Sequence, residues 1–103
     1  MPAFLLSVSY LSSLEEAEKH MPAHVVWLEE QYSRKVYLMF ARKIPFTGGV
    51  CIAVAESADQ MAEITETDPF RIKKVAKYDI QELDLTKINT VSLLEHASHR
   101  GDV

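Results

Sequence analysis

The chain has 103 residues, enough for one folded domain with a hydrophobic core of its own. Its net charge is −4 and its basic residues are scattered, which argues against a nucleic-acid-binding protein. No apolar stretch is long enough to span a membrane and no basic targeting region begins the chain, so we expect a cytoplasmic protein. The single cysteine, Cys51, excludes an intrachain disulfide and is expected to be a small core or interface residue.

The first third of the chain predicts a strand followed by two helical segments. Residues 4–10 are apolar with β-branched and aromatic side chains, a composition typical of a strand. Ser12 and Ser13 are each followed by a glutamate three residues later, the pattern of a capping box, which favours a short helical turn. Pro22 should interrupt that turn but suits the first turn of a new helix, predicted over residues 22–34.

The helix predicted over residues 22–34 is amphipathic. Val25, Leu28 and Tyr32 fall on one face and are expected to be buried, because they recur at the helical period. His24 lies at the edge of this apolar stripe, at the rim of the core, where a pocket can open.

The middle of the chain predicts a β-hairpin. Residues 36–42 and residues 50–55 are largely apolar and have the composition of strands. The segment between them contains Gly48 and Gly49, which predict a turn, and two strands joined by so short a loop pair antiparallel.

A helix and a strand complete the pattern. Ser57 or Asp59 can cap the helix, which should end before Asp68 because a residue that precedes proline disfavours helical geometry. One further turn is predicted over residues 70–74, followed by a strand over residues 75–83, where the side chains alternate in character.

The order strand, helix, strand, strand, helix, strand predicts an α+β fold of the ferredoxin-like βαββαβ type, with a four-stranded antiparallel sheet. The strand over residues 50–55 is apolar on both faces, so the sheet face away from the helices needs a cover. A homodimer that stacks two such sheets supplies it. We expect one domain over residues 1–84 and a tail over residues 85–103, whose apolar residues favour a short helix at the dimer interface.

His24 and Asp68 are the candidate catalytic residues. On the predicted helix His24 lies near the N-terminus, where the helix dipole favours a neutral imidazole. A carboxylate against one ring nitrogen would fix the tautomer and leave the other nitrogen free as a proton acceptor. The alternative is purely structural, with His24 packed beside the first helical turn and Asp68 starting a turn before Pro69.

Three further residues are candidates for binding a substrate: Trp27, Phe70 and Arg42. Trp27, Tyr32, Tyr37 and Phe40 are expected mostly in the core or at the dimer interface, and one or two of them can wall a pocket for an aromatic ring, because such pockets are mostly apolar. Phe70 is a further candidate for this role. Arg42, at a predicted strand end, can hold an anionic group, with a surface salt bridge as its alternative role.

Neither a metal nor a cofactor is predicted. His20 and His24 have the i,i+4 spacing of zinc ligands, but Pro22 argues against a continuous helix there and no third ligand has a suitable spacing. His96 and His99 have a similar spacing in a polar tail, where histidines are more often solvated.

Several landmarks in combination resemble the YciI-like (YCII-related) proteins. These landmarks are Pro22-Ala23-His24-x-x-Trp27-Leu28, the hairpin with Gly48-Gly49, and Glu66-Thr67-Asp68-Pro69-Phe70 before the last strand. The resemblance runs over about residues 4–83 and implies a dimeric α+β barrel of ferredoxin-like subunits. It also implies that His24 and Asp68 form a catalytic pair, and that the reaction is a cofactor-free proton abstraction from a small hydroxylated substrate.

The chain departs from that family pattern near the pair. Met21 stands where arginine often precedes the Pro-x-His, Lys35 stands where glycine usually follows the first helix, and Ala41-Arg42 replaces a Gly-Pro. A side chain in place of glycine narrows the space beside it, so we expect the substrate to differ from that of relatives.

Three functional hypotheses follow. The first is a small homodimeric enzyme of the lyase or hydrolase kind, in which Asp68 orients His24 as general base toward a small hydroxylated aromatic or carbonyl compound. The second is a non-catalytic module that holds a small ligand or a partner protein, with a closed or shallow cavity and Asp68 as a cap. The third is a cofactor-independent monooxygenase or isomerase, which requires an apolar, aromatic-lined pocket with the histidine at its wall.

Overall fold

The computed structural model describes residues 1–97 and contains a four-stranded antiparallel sheet with helices packed on one face. The strands are β1 (Ala3–Tyr10), β2 (Tyr37–Arg42), β3 (Gly48–Val54) and β4 (Ala76–Leu83). The helices are α1 (Leu14–Ser33), α2 (Ala58–Thr65), α3 (Pro69–Ile72) and α4 (Thr90–Ala97). The chain order, with α3 as a short turn before β4, confirms the predicted α+β, ferredoxin-like class.

Strand β1 lies inside the sheet, whose strand order is β2-β3-β1-β4. It pairs antiparallel with both neighbours, so that Leu6 lies opposite Cys51 of β3 and Ile80 of β4. Side chains alternate between the two faces of a strand, and Phe4 and Leu6 are fully buried under the helices while Leu5 is half-buried on the other face. The helix-covered face of β1 is therefore the base of the core.

The β2–β3 hairpin forms as predicted, but Gly48 and Gly49 belong to β3 rather than to the turn. Gly48 has a φ of 151°, and a Cβ at this position would lie 1.8 Å from the carbonyl oxygen of Val8. Only glycine allows the backbone of β3 to lie so close to β1 at this point.

A single helix, α1, replaces the two helical segments predicted around Pro22. Ser13 caps it by accepting a hydrogen bond from the backbone N–H of Glu16, as the capping pattern predicts. The prediction that Pro22 begins a new helix is wrong. Pro22 removes the hydrogen bond to the carbonyl of Glu18, but both residues are exposed, so water can reach that carbonyl while residues buried on either side hold the helix together.

The buried face of α1 is rotated from the predicted stripe. Val25 is 44% exposed, contrary to the prediction, and Leu28 is only half-buried. Burying the large ring of Trp27 removes more apolar surface from water than burying a valine, so the helix turns Trp27 inward. The buried residues of α1 are Ala17, His24, Trp27 and Gln31.

Two lysines with positive φ follow the ends of helices. Lys35 follows α1 with a φ of 60°, and Lys74 follows α3 with a φ of 58°. After α1, the N–H of Lys35 donates to the carbonyl of Tyr32 at 2.9 Å, and the N–H of Val36 donates to the carbonyl of Gln31 at 3.0 Å. This is a Schellman motif, in which the left-handed residue is usually glycine.

Lys35→Gly is therefore expected to raise the free energy of unfolding by about 1 kcal/mol, because glycine adopts the left-handed conformation without steric cost. Urea unfolding measures the change. Arg34→Gly is the matched control, since Arg34 has a φ of −81° and glycine there should lower stability by roughly 0.5–1 kcal/mol. Equal effects of the two substitutions would contradict this explanation.

The sheet face away from the helices is apolar over β1 and β3. On this face Leu5 of β1 lies opposite Ile52 of β3, and Val50 and Val54 lie on either side of Ile52 along β3. All four side chains are half-buried. Such a surface suits contact with a second layer. The homodimer predicted to supply that layer stays a prediction.

The tail after β4 contains the helix α4. The side chain of Asn89 accepts a hydrogen bond from the backbone N–H of Ser92 and so caps its first turn. The place of this helix at a dimer interface and the domain boundary at residue 84 stay predictions. Among the helices that the structure describes, none is both long and apolar enough to cross a bilayer.

Candidate active site

His24 and Asp68 meet in the core, where α1 packs against α3. Nδ1 of His24 lies 2.8 Å from Oδ1 of Asp68, and the two side chains are 6% and 0% exposed. The buried face of α1 carries the imidazole, and the turn that begins α3 carries the carboxylate. The fold therefore brings the two candidate catalytic residues into direct contact.

His24 lies in the middle of α1, not near a helix N-terminus as predicted. The helix begins at Leu14, roughly 15 Å away along the axis, and the effect of a helix dipole fades within the first turn. The contact with Asp68, rather than the helix dipole, is therefore what orients the imidazole.

Asp68 also caps α3. Its Oδ1 accepts a hydrogen bond from the N–H of Phe70 at 2.9 Å, and Pro69 occupies the first helical position. Asp68 thus has the structural role predicted for an aspartate before proline, and it also contacts His24. The cap fixes the carboxylate, so it reaches the imidazole in one orientation.

The second oxygen of Asp68 accepts a hydrogen bond from Tyr78. The hydroxyl oxygen of Tyr78 lies 2.5 Å from Oδ2 of Asp68, and the hydroxyl of Tyr37 lies 3.4 Å from that of Tyr78. Burial raises the pKa of Tyr78 far above its usual range, and the neighbouring Tyr37 and Asp68 raise it further, so the phenol keeps its proton and remains a donor. Three donors thus compensate the buried carboxylate.

The ring of His24 is stacked on Phe70. Their centroids are 3.9 Å apart and their planes differ by 5°. Stacking fixes the plane of the imidazole, and the contact with Asp68 fixes its rotation. When Nδ1 carries the proton that is donated to the carboxylate, Nε2 keeps a free lone pair. Among residues 1–97, no hydrogen bond involves Nε2 of His24.

A small cavity lies beside His24, between α1 and the sheet. Its volume is about 20 Å³, room for about one water molecule. The wall is mostly apolar and aromatic, with the imidazole as part of it. Among the lining residues are His24, Leu28, Tyr37, Phe40, Phe70 and Tyr78.

Of the three predicted substrate-binding residues, Phe70 lines this cavity and Trp27 does not. Trp27 is buried next to His24, with ring centroids 6.3 Å apart and planes at 22°. Its Nε1 donates a hydrogen bond to Oγ1 of Thr67 at 2.9 Å. Trp27 therefore ties α1 to the segment that precedes Asp68.

Arg42 lies outside the cavity, near its Tyr10 wall. Its guanidinium carbon is 5.4 Å from the centre of the Phe46 ring, which packs edge-on against Tyr10. Arg42 and Tyr10 thus contact the same phenyl ring. Burial raises the pKa of Tyr10, and the positive charge of the nearby Arg42 opposes this shift. None of the ion pairs in the described part of the chain includes Arg42.

The histidine pairs with metal-like spacing do not converge on a third ligand. His20 and His24 lie on one continuous helix, contrary to the prediction, but His20 faces Glu16 at 3.6 Å while His24 is buried. No three His, Cys, Asp or Glu side chains among the residues described are placed to hold a metal ion. His96 is exposed on α4, and His99 lies outside the described residues.

Cys51 is buried on β3 and lines the cavity. Burial raises the pKa of its thiol to about 12, so the reactive thiolate is scarce at neutral pH. We expect native Cys51 not to react with iodoacetamide at about pH 8, whereas the chain unfolded in urea should react fully. Mass spectrometry counts the label, and rapid modification of the folded protein would contradict a buried thiol.

Residues 1–84 match the model of the YCII-related domain. The chain belongs to the YCII-related family. The resemblance inferred from the sequence is therefore confirmed. A comparison with curated proteins gave no match.

One solved structure similar to this YCII-related chain is 5-chloro-2-hydroxyhydroquinone dehydrochlorinase from Burkholderia phenoliruptrix AC1100, in complex with 2,5-dihydroxybenzoquinone. The sequences are 20% identical, and the match covers 80% of this chain and 93% of that chain with a TM-score of 0.69. The two proteins share a fold.

Tyr78 is the residue of this YCII-related site that sequence reasoning missed. The sequence places it only within the alternating strand predicted over residues 75–83. A tyrosine on an inward face needs a partner for its hydroxyl, and that requirement is the signal that could have pointed to Asp68. Tyr37 and Phe40, two of the aromatic residues expected in the core or interface with a pocket wall as the alternative, line the cavity.

Proposed function

We propose that this YCII-related protein is a small-molecule enzyme in which His24 removes a proton from a hydroxylated aromatic or carbonyl compound. The observation that carries the proposal is the buried 2.8 Å contact between Nδ1 of His24 and Asp68, beside a cavity. It leaves Nε2 as the nitrogen that can accept a proton. The fold shared with an enzyme that acts on a chlorinated hydroxyhydroquinone supports this class of substrate.

The proposed step needs only groups of this chain. Nε2 of His24 accepts the proton of a ring hydroxyl as the O–H bond breaks, and the electron pair stays on oxygen as a phenolate. The imidazole then carries two protons, and Asp68 stabilises its positive charge through Nδ1. The hydrogen bonds from Phe70 and Tyr78 hold the carboxylate in place during this step. A general base of this kind contributes about 10²–10⁴-fold to the rate.

The proposed binding mode places the substrate ring against Phe70. Arg42, which has no carboxylate partner in the described part of the chain, would attract an anionic substituent at the Tyr10 end of the cavity. Trp27 would act from behind His24, by keeping α1 attached to the segment before Asp68.

We also propose that the protein is a homodimer. The apolar outer face of the sheet, with Leu5, Val50 and Ile52, would lie between the two subunits. Ile52→Glu places a charge on that face and should convert a dimer to a monomer in light scattering after size exclusion.

The test of the proposed function uses 5-chloro-2-hydroxyhydroquinone as substrate and 2,5-dihydroxybenzoquinone as a binding probe. For this substrate, protonated His24 would return the proton to the chlorine-bearing ring carbon, and loss of a second hydroxyl proton would then expel chloride, so that HCl leaves and a quinone forms without an oxidant. We therefore expect enzyme-dependent release of chloride without consumption of oxygen, and a rise in melting temperature with the quinone. Oxygen uptake would favour a cofactor-independent monooxygenase, for which the aromatic-lined cavity is also suitable. The absence of both turnover and quinone binding would contradict a hydroxylated aromatic substrate.

A ligand-holding role without catalysis is the second candidate. The cavity of about 20 Å³ and the cap that Asp68 forms on α3 both favour it. It predicts that the quinone binds while the chlorinated substrate is not consumed, and that binding does not depend on the free nitrogen of His24.

A further inference from the structure

Phe40 stands between the His24 cavity and solvent. It lines the cavity from β2 and is 38% exposed, whereas the lining rings of Tyr37 and Phe70 are at most 2% exposed. Phe40 is paired with Cys51 across the ladder, so its side chain lies on the helix-covered face of the sheet. Solvent therefore approaches the cavity at Phe40.

The ring of Phe40 lies directly on the backbone of Gly49. A Cβ at position 49 would be 2.7 Å from Cζ of Phe40, and Gly49 itself lines the cavity. If the ring rotated outward, it would uncover backbone and not another side chain. The space that it leaves would then be continuous with the cavity beside His24.

The sizes match a single aromatic ring. The cavity holds about one water molecule, whereas a protein cavity that binds benzene is about 150 Å³. The phenyl ring of Phe40 has the size of benzene itself, so its departure supplies the missing room. Strand β2 lies at the edge of the sheet, so no strand beyond it obstructs an outward rotation.

We propose that Phe40 controls access to the His24 site, because its ring occupies the place of the ligand's ring and rotates outward to admit a planar, single-ring aromatic compound. Arg42 follows two residues later on the same face of β2, where it can meet an anionic substituent. The inference rests on the proposed function in one respect, that His24 is the group which such a ligand reaches.

The test compares Phe40→Ala with Phe46→Ala. Phe46 is equally exposed, at 38%, but packs on Arg42 and Tyr10 and is not part of the cavity lining. At one benzene concentration, the melting temperature of Phe40→Ala should rise clearly more than those of the wild type and Phe46→Ala, whose closed ring weakens binding. Phe40→Ala should also bind 2,5-dihydroxybenzoquinone about 10- to 1,000-fold more tightly by calorimetry, since an open state populated at about 0.1–10% weakens wild-type binding by that factor.

Each outcome bears on one claim. Benzene binding by the wild type as strong as that by Phe40→Ala, an equal gain in Phe46→Ala, or no gain in Phe40→Ala would overturn the role of Phe40. Phe40→Leu keeps an apolar side chain, so it serves as the second variant if Phe40→Ala does not fold. With benzene its melting temperature should also rise, but by less than that of Phe40→Ala. If Phe40→Ala binds benzene but His24→Asn releases chloride from 5-chloro-2-hydroxyhydroquinone as fast as the wild type, access control stands and the proposed function fails.

Discussion

Replacing His24 with asparagine is expected to lower kcat for 5-chloro-2-hydroxyhydroquinone by about 10²–10⁴-fold, measured as chloride release. The amide nitrogen of asparagine can take the place of Nδ1 and still donate a hydrogen bond to Asp68. The substitution removes Nε2, the proposed proton acceptor. The loss should therefore appear in kcat while the buried carboxylate keeps a partner.

His20→Asn is the matched control. His20 lies one turn earlier on α1 and faces the exposed Glu16, so its replacement should leave kcat and the melting temperature nearly unchanged. Wild-type turnover by His24→Asn would exclude a general-base role for the histidine. Equal losses in both variants would point to damage to α1 instead.

The fold could be predicted because its elements carry local signals. The strand predicted over residues 4–10 is observed as Ala3–Tyr10, and the one over residues 75–83 as Ala76–Leu83. Alternating apolar and polar side chains, bounded by turn residues, predict a strand from a few neighbouring positions.

The errors arose where distant contacts override a local rule. Pro22 disfavours a helix interior, but burial of α1 on the sheet keeps the helix continuous across it. Val25 fits an apolar stripe, but Trp27 and its hydrogen bond to Thr67 set the rotation of the helix. Neither contact is visible in a window of sequence.

The site could be predicted only in part. The pairing of His24 with Asp68 depends on how α1 packs against α3, and the family resemblance, not periodicity, supplied that expectation. The size of the cavity depends on where the ring of Phe40 lies on Gly49, which no spacing of residues reveals. The hydrogen bond from Tyr78 likewise depends on the pairing of β4 with β1.

Asp68→Ala is expected to lower the free energy of unfolding by about 3–5 kcal/mol, the usual cost of breaking a buried pair. The substitution leaves three donors without their acceptor: Nδ1 of His24, the N–H of Phe70 and the hydroxyl of Tyr78. It also removes the cap of α3. Because domains are stable by only about 5–15 kcal/mol, the variant should unfold at markedly lower urea concentration.

Asp79→Ala is the control for this loss. Asp79 lies on β4 with its side chain 67% exposed, 3.9 Å from Lys77, so its removal should change stability by no more than about 0.5 kcal/mol. A similar urea midpoint for the two variants would mean that the buried hydrogen bonds of Asp68 contribute little.

Asp68→Asn separates stability from chemistry. The amide oxygen can accept from His24 and Phe70, and the amide nitrogen can donate to the hydroxyl of Tyr78, so the loss of stability should be smaller, about 1–3 kcal/mol. The negative charge that stabilises a doubly protonated His24 is gone, so kcat should still fall. If Asp68 were only a cap, activity at a temperature where Asp68→Asn remains folded would equal that of the wild type. A low kcat in a fully folded variant would instead show that the charge of the carboxylate, and not only its hydrogen bonds, serves the reaction at His24.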